Sequence, residues 1–141
     1  METLKFNLDI NAPASTVWNV LWSDATYPQW TAVFAEGSCA ESDWKEGSKI
    51  LFTDGKGSGM FSKIKTLDEN KTMVFEHLGE VQNGVEKNMD WQGATESYFL
   101  KENDGKTTLD VELAAPGEHK DYFEKTFPQA LDKVKEIAEA A

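Results

Sequence analysis

Cysteine is nearly absent from this chain. The lone thiol, Cys39, excludes an internal disulfide and any cysteine-based metal cluster. Histidine is almost as rare: His77 and His119 are the only two, far apart and without companion ligands at metal spacing, so no metal site and no cofactor are expected. Positive charge is also short, with 14 basic against 25 acidic residues and a net charge of -11. That excess repels phosphate backbones and anionic lipid surfaces, so neither nucleic acid nor membrane is an expected partner. No segment approaches the roughly 20 apolar residues of a membrane span. The opening METLKFNLDI lacks a basic region followed by an apolar run, so a cytoplasmic protein is expected. Nucleophile elbow, phosphate-cradling loop and dinucleotide fingerprint are all missing. The glycine-rich GKGSG at 55–59 opens a strand and reads as a mobile turn.

What the chain does have is an ordinary balance of 40% hydrophobic and 28% charged residues over 141 positions, the profile of one globular domain spanning 1–141. Residues 2–10 alternate Leu4, Phe6, Leu8 and Ile10 with Lys5, Asn7 and Asp9, a half-buried strand. Pro13 fits the first turn of a helix carrying Val17, Trp18, Leu21 and Trp22 at helical spacing. A second short helix is expected from Asp24 to Trp30. These two helices hold three of the five tryptophans, Trp18, Trp22 and Trp30. From about 36 to 115 the chain reads as some six strands separated by turn signals, of which Asp104-Gly105 is the strongest. The last segment, from about 118 to 141, sets Tyr122, Phe123, Phe127, Ala130, Leu131, Val134 and Ile137 along one helical side, with Pro128 expected to kink or restart it.

This order resembles the START-like (SRPBCC, helix-grip) superfamily, and within it the branch related to the C-terminal domain of the activator of heat-shock protein 90 ATPase. The resemblance is carried by Ile10, Ala12-Pro13, Val17-Trp18, Leu21 and Trp30, then by Gly47 before SKILFTD and by IKTLDENKTMVFEH. DGKTTLDVEL and FPQALDKVKEIAE complete it. It implies an α+β fold: a curved antiparallel sheet of about six to seven strands wrapped on a long C-terminal helix, with two short helices after the first strand. It also implies an apolar cavity between sheet and helix, with the first helices' aromatic residues at its mouth. The chain looks like the stand-alone prokaryotic form, without the N-terminal domain of the eukaryotic activator.

Strand parity then selects an interior. In the last hairpin Leu109, Val111 and Leu113 face in because Asp110 and Glu112 alternate with them. A two- or four-residue loop puts Glu96, Tyr98 and Leu100 on that face, and a three-residue loop would turn Thr95, Ser97 and Phe99 inward. The family resemblance favours the first. In the preceding hairpin, a DENK loop pairs Ile64 with Phe75, which brings Met60, Met73, Phe75 and His77 inward; Phe52 shares a face with Ile50 and Asp54. The expected cavity therefore contains Phe52, Met60, Ile64, Met73, Phe75, Leu109 and Val111. Its polar groups are His77, Glu96 and Tyr98, Trp22 and Trp30 stand at the mouth, and Phe123 and Phe127 come from the terminal helix.

Apolar pockets with a few converging polar groups are the usual form of a small-molecule site. Three readings follow. The first is a domain that binds a lipid-like, aromatic or polyketide-like molecule without catalysis. The second is a cyclase, dehydratase or hydrolase in which Glu96, His77 and Tyr98 act as acid, base or orienting groups. The third, implied by the resemblance, is a chaperone-interaction module; a homodimer is compatible with all three.

Overall fold

A computed structural model describes residues 2–141. The first strand, β1 (Glu2–Ile10), leads into two short helices, α1 (Ala14–Trp22) and α2 (Tyr27–Thr31). Seven strands follow: β2 (Cys39–Glu41), β3 (Lys49–Thr53), β4 (Gly59–Asp68), β5 (Thr72–Gln82), β6 (Val85–Asn88), β7 (Thr95–Asn103) and β8 (Lys106–Ala115). A single 3-10 turn, Gly117–His119, opens the long α3 (Lys120–Ala140). The strands form one antiparallel sheet in the order β1-β8-β7-β5-β4-β3-β2, with β6 paired to β5 beside that path. The architecture is the helix-grip fold, with α3 laid across the sheet and packed on β1, α1 and α2.

The sheet has eight strands rather than six or seven. The extra one, β6, follows a two-residue turn at Asn83-Gly84, whose φ angles of 52° and 78° are those of a tight hairpin. Gly79 admits it: a β-carbon there would lie 2.0 Å from the Lys87 carbonyl oxygen. On the outer face of the sheet Phe61 is buried beside Gly79. Lys49 stands over its ring and pairs with Glu86.

The β7–β8 hairpin turns on Asp104-Gly105 and pairs Glu96 with Leu113, Tyr98 with Val111 and Leu100 with Leu109, the register of the shorter loop. The β4–β5 hairpin reaches the expected Ile64–Phe75 pair by a different route. Its turn has three residues, since Asp68 pairs with Thr72, and a bulge at Lys65 restores the alignment. A second bulge, at Leu78, lets Ser62 face His77 while Met60 faces Glu80. An inserted residue shifts every later side chain of its strand to the other face. Glu80 is thereby turned to the concave side.

Pro13 stands one residue before α1, at its N-cap, and makes no side-chain cap. The cap comes from the sheet instead. Glu102 accepts the Ala14 N–H at 2.7 Å, a carboxylate at the positive end of a helix, and the Thr107 hydroxyl donates to the Ala12 carbonyl at 2.7 Å. Along α3, Phe127, Ala130, Leu131, Val134 and Ala138 are buried. Tyr122 departs from the apolar stripe and is 48% exposed, because it lies in the first turn, beyond the contacts that cover the later turns. The helix runs through Pro128 without a break.

Candidate functional site

At one end of the concave face, sheet and α3 part to leave a cavity of about 530 Å³. Tyr27, Trp30 and Phe34 form the wall from α2 and the turn after it; Phe123 and Phe127 form the wall from α3. The sheet contributes Phe52, Met60, His77, Glu96 and Tyr98. Residues of the rim include Asp54, Glu80, Trp91, His119 and Tyr122.

The polar groups of the sheet wall are connected. His77 Nδ1 lies 2.7 Å from the hydroxyl of fully buried Ser62, and His77 Nε2 lies 3.2 Å from Glu96 Oε1. The Tyr98 hydroxyl donates to the other Glu96 oxygen. With the carboxylate taking a proton donor on Nε2, Nδ1 is the acceptor and Ser62 donates to it. The result is a line of bonds from Ser62 through His77 to Glu96, closed on the far side by Tyr98. Pairing of this kind is what allows a carboxyl and an imidazole to sit in an apolar wall. Burial, with the Glu96 charge beside it, pushes the Tyr98 phenol well above its ordinary pKa. The same two causes raise Tyr27, so both phenols are held neutral.

Ser62 resembles the start of a hydrolytic triad only on paper. It is fully buried and absent from the cavity wall, so no substrate carbonyl can reach it. The group that meets the cavity is Glu96, oriented from both sides and able to accept a hydrogen bond or a proton.

Six of the expected lining residues lie elsewhere. Ile64, Met73, Phe75, Leu109 and Val111 do point inward, but they are 0–1% exposed in the close-packed end of the core, away from the cavity wall. Trp22 is packed rather than at a mouth: its ring meets Tyr98 edge-on at 4.9 Å, Phe75 at 5.2 Å and Trp30 at 6.3 Å. It braces Tyr98 from behind. Trp30 lines the cavity and is itself fixed, its indole N–H donating to the Leu21 carbonyl at 3.1 Å.

The reading from sequence missed Tyr27, Glu80, Trp91, His119 and Tyr122. The first could have been found from its spacing to Trp30 on α2. Glu80 could not, because only the Leu78 bulge turns it inward. Cys39 also reaches the wall, its thiol 3.2 Å from the Thr53 hydroxyl. Among the described residues no group of His, Cys, Asp or Glu side chains is placed to hold a metal, and no helix is long and apolar enough to cross a membrane.

A smaller concavity lies apart from this cavity, bounded by Trp18, Trp22, Trp44, Leu67, Glu69 and Met73. Trp44 adopts a φ of 56°, a conformation uncommon for a bulky residue, and the buried Trp22 indole N–H has no partner there or elsewhere among the described residues.

Residues 11–139 match the family model described as "Activator of Hsp90 ATPase homolog 1-like protein". The chain belongs to that family. No curated protein sequence matches it. Among solved structures it is similar to the solution structure of the Aha1 dimer from Colwellia psychrerythraea, at 20% identity and a TM-score of 0.77, covering 99% of this chain and 97% of that one. DynU16, a putative protein in the dynemicin biosynthetic locus, superposes with a TM-score of 0.74 at 13% identity over 99% of this chain and 48% of its own, so the chain spans about half its length. CalU16 from Micromonospora echinospora gives 0.70 at 12% identity, over 96% and 75%. At these identities the likeness extends to the fold.

Proposed function

We propose that the protein binds an apolar small molecule in the cavity between the sheet and the first half of α3, with Glu96 and Tyr98 engaging one polar group of the ligand. The observation that carries this reading is the cavity itself, about 530 Å³ with a largely apolar wall rich in aromatic side chains, in a domain of only 141 residues. A volume in the range of ordinary ligand sites, apolar with a few converging polar groups, is the usual form of such a site. One neighbour, described as a putative protein in the dynemicin biosynthetic locus, fits a natural-product-like ligand. The reading is tested by thermal shift and tryptophan fluorescence against a panel of apolar aromatic compounds. Binding should raise the melting temperature and change the emission, since Trp30 and Trp91 line the wall. Met60→Trp should remove both responses while the variant still melts cooperatively. A panel that moves neither signal would overturn the proposal.

The bonded Ser62–His77–Glu96 line favours a second reading, a cyclase- or dehydratase-type reaction with Glu96 as base. Turnover of a bound compound, lost in Glu96→Gln while binding persists, would establish it. Self-association is part of the proposal as well, supported by the Colwellia dimer and tested by sedimentation. The family description supports a chaperone partner, tested by whether the protein stimulates the ATPase of heat-shock protein 90.

A further inference from the structure

We infer that the ligand carries a cationic nitrogen on an aromatic body, and that Glu96 receives it. The inference rests on the binding role proposed above and adds the charge of the ligand. Three acidic side chains, Glu96, Glu80 and Asp54, take part in the wall and rim, and no lysine does. The chain contains no arginine at all. The lysine nearest in register, Lys87 opposite Glu80, is exposed and forms no part of the wall.

Glu96 decides the sign. Its side chain is only 17% exposed, and its two oxygens accept one bond each from His77 and Tyr98. An ionised carboxylate offers about four acceptor positions, so half remain for the cavity. A purely apolar ligand would strip water from those positions and give nothing back, and a buried charge left unpaired is costly. An anionic ligand would add repulsion with no lysine in the wall to offset it. An ammonium group satisfies the free positions with charge-assisted bonds.

Two independent features agree. Tyr27 is 92% buried by its 8% exposure, lines the cavity, and its hydroxyl has no hydrogen-bond partner among the described residues, so a polar atom waits there for a ligand. Burial keeps that phenol neutral, able to accept as well as donate. Trp30 and Phe52 lie beside the Tyr27 ring at centroid distances of 5.4 and 6.3 Å and line the cavity together with Tyr98 and Phe123. Aromatic faces attract cations within about 6 Å, more strongly when water is excluded.

The test is a matched set on one aromatic body: naphthylethylamine, naphthylethanol and naphthylacetate, titrated by calorimetry at neutral pH. The amine should bind about tenfold or more tightly than the alcohol, the size of one charge-assisted bond, and the acid most weakly. In Glu96→Gln the advantage of the amine over the alcohol should collapse, the amine losing about tenfold more affinity than the alcohol loses. Tyr27→Phe should weaken the amine by a smaller factor, and Glu80→Gln reports the rim charge if Glu96→Gln does not fold. Equal binding of amine and alcohol, or tighter binding of the acid, overturns the inference and leaves the binding role intact. Failure of all three to bind overturns both.

Discussion

The two halves of the terminal helix meet the same sheet in opposite ways. From Ala130 to Ala138 the helix is gripped: Ala130, Leu131, Val134 and Ala138 are 0–3% exposed and form one cluster with Ile10, Val17, Leu21, Leu109 and Val111. From Lys120 to Phe127 it is held off. Phe127 is buried, stacked on Phe6 at 5.2 Å and edge-on to Phe34 at 5.0 Å, yet Phe123 is half-buried and the cavity opens beside it. The side chains opposite explain the difference. Facing the second half are branched aliphatics that reach across the gap; at the cavity end the wall includes Gly59, Ala94 and Ala115, which do not. Pro128 stands at the junction. Small residues beneath large aromatics make space where equal partners would make core.

The comparison breaks most visibly on truncation. Leu131→Ala should lower stability to urea by about 2–5 kcal/mol, the cost of emptying a tightly packed site. Phe123→Ala, which already borders open space, should cost only about 1–2 kcal/mol while losing ligand binding. The reverse ranking would mean that the grip lies at the other end of the helix.

Pro128 is exposed within α3, and proline lacks the N–H that residue 128 would give to the Glu124 carbonyl. Pro128→Ala should therefore stabilise the fold, by up to about 3 kcal/mol of helix preference, which a higher melting temperature would report. A destabilised variant would show that the proline fixes the divergence of the two halves through packing.

Tyr98→Phe removes one bond to Glu96 and should cost about 0.5–1.5 kcal/mol in chemical denaturation; a neutral effect would mean that the Tyr98 hydroxyl contributes nothing to the wall. Alkaline pH sharpens the same point. Tyr27 and Tyr98 have pKa values raised by burial, with the Glu96 charge adding to it, so the folded state keeps protons that the unfolded state has released. Their contribution to stability is complete below about pH 10, the ordinary tyrosine value, and is lost as pH rises above it. Ionisation of both phenols should coincide with alkaline unfolding in an absorbance titration. Early ionisation with the fold intact would place their hydroxyls in water.

Much of the fold was legible because it rests on local signals. Asp104-Gly105 marked the β7–β8 turn, the family resemblance chose among its loop lengths, and the alternation of Leu109, Val111 and Leu113 set the face. The strand β6 was missed although Asn83-Gly84 marks it, since the four residues after that turn, Val85 to Asn88, are mostly polar and do not alternate. The candidate site was half legible for a different reason. Parity tells which face of a strand a side chain takes, not how far along the sheet it lies. Met73 and Phe75 share a face with His77, yet only His77 reaches the cavity. Glu80 depended on a bulge at Leu78, and Tyr122 and His119 on the angle at which α3 leaves the sheet; neither is encoded in a short window.

The central claim is that one half of α3 borders a binding site and the other half is core. A heteronuclear NMR titration with naphthylethanol tests it directly, because each residue of both halves reports separately. Shifts concentrated at Tyr27, Met60, Phe123 and Phe127, with Leu131, Val134 and Ala138 unmoved, are the predicted result. Shifts spread along the whole helix, or confined to the outer face of the sheet, would contradict it.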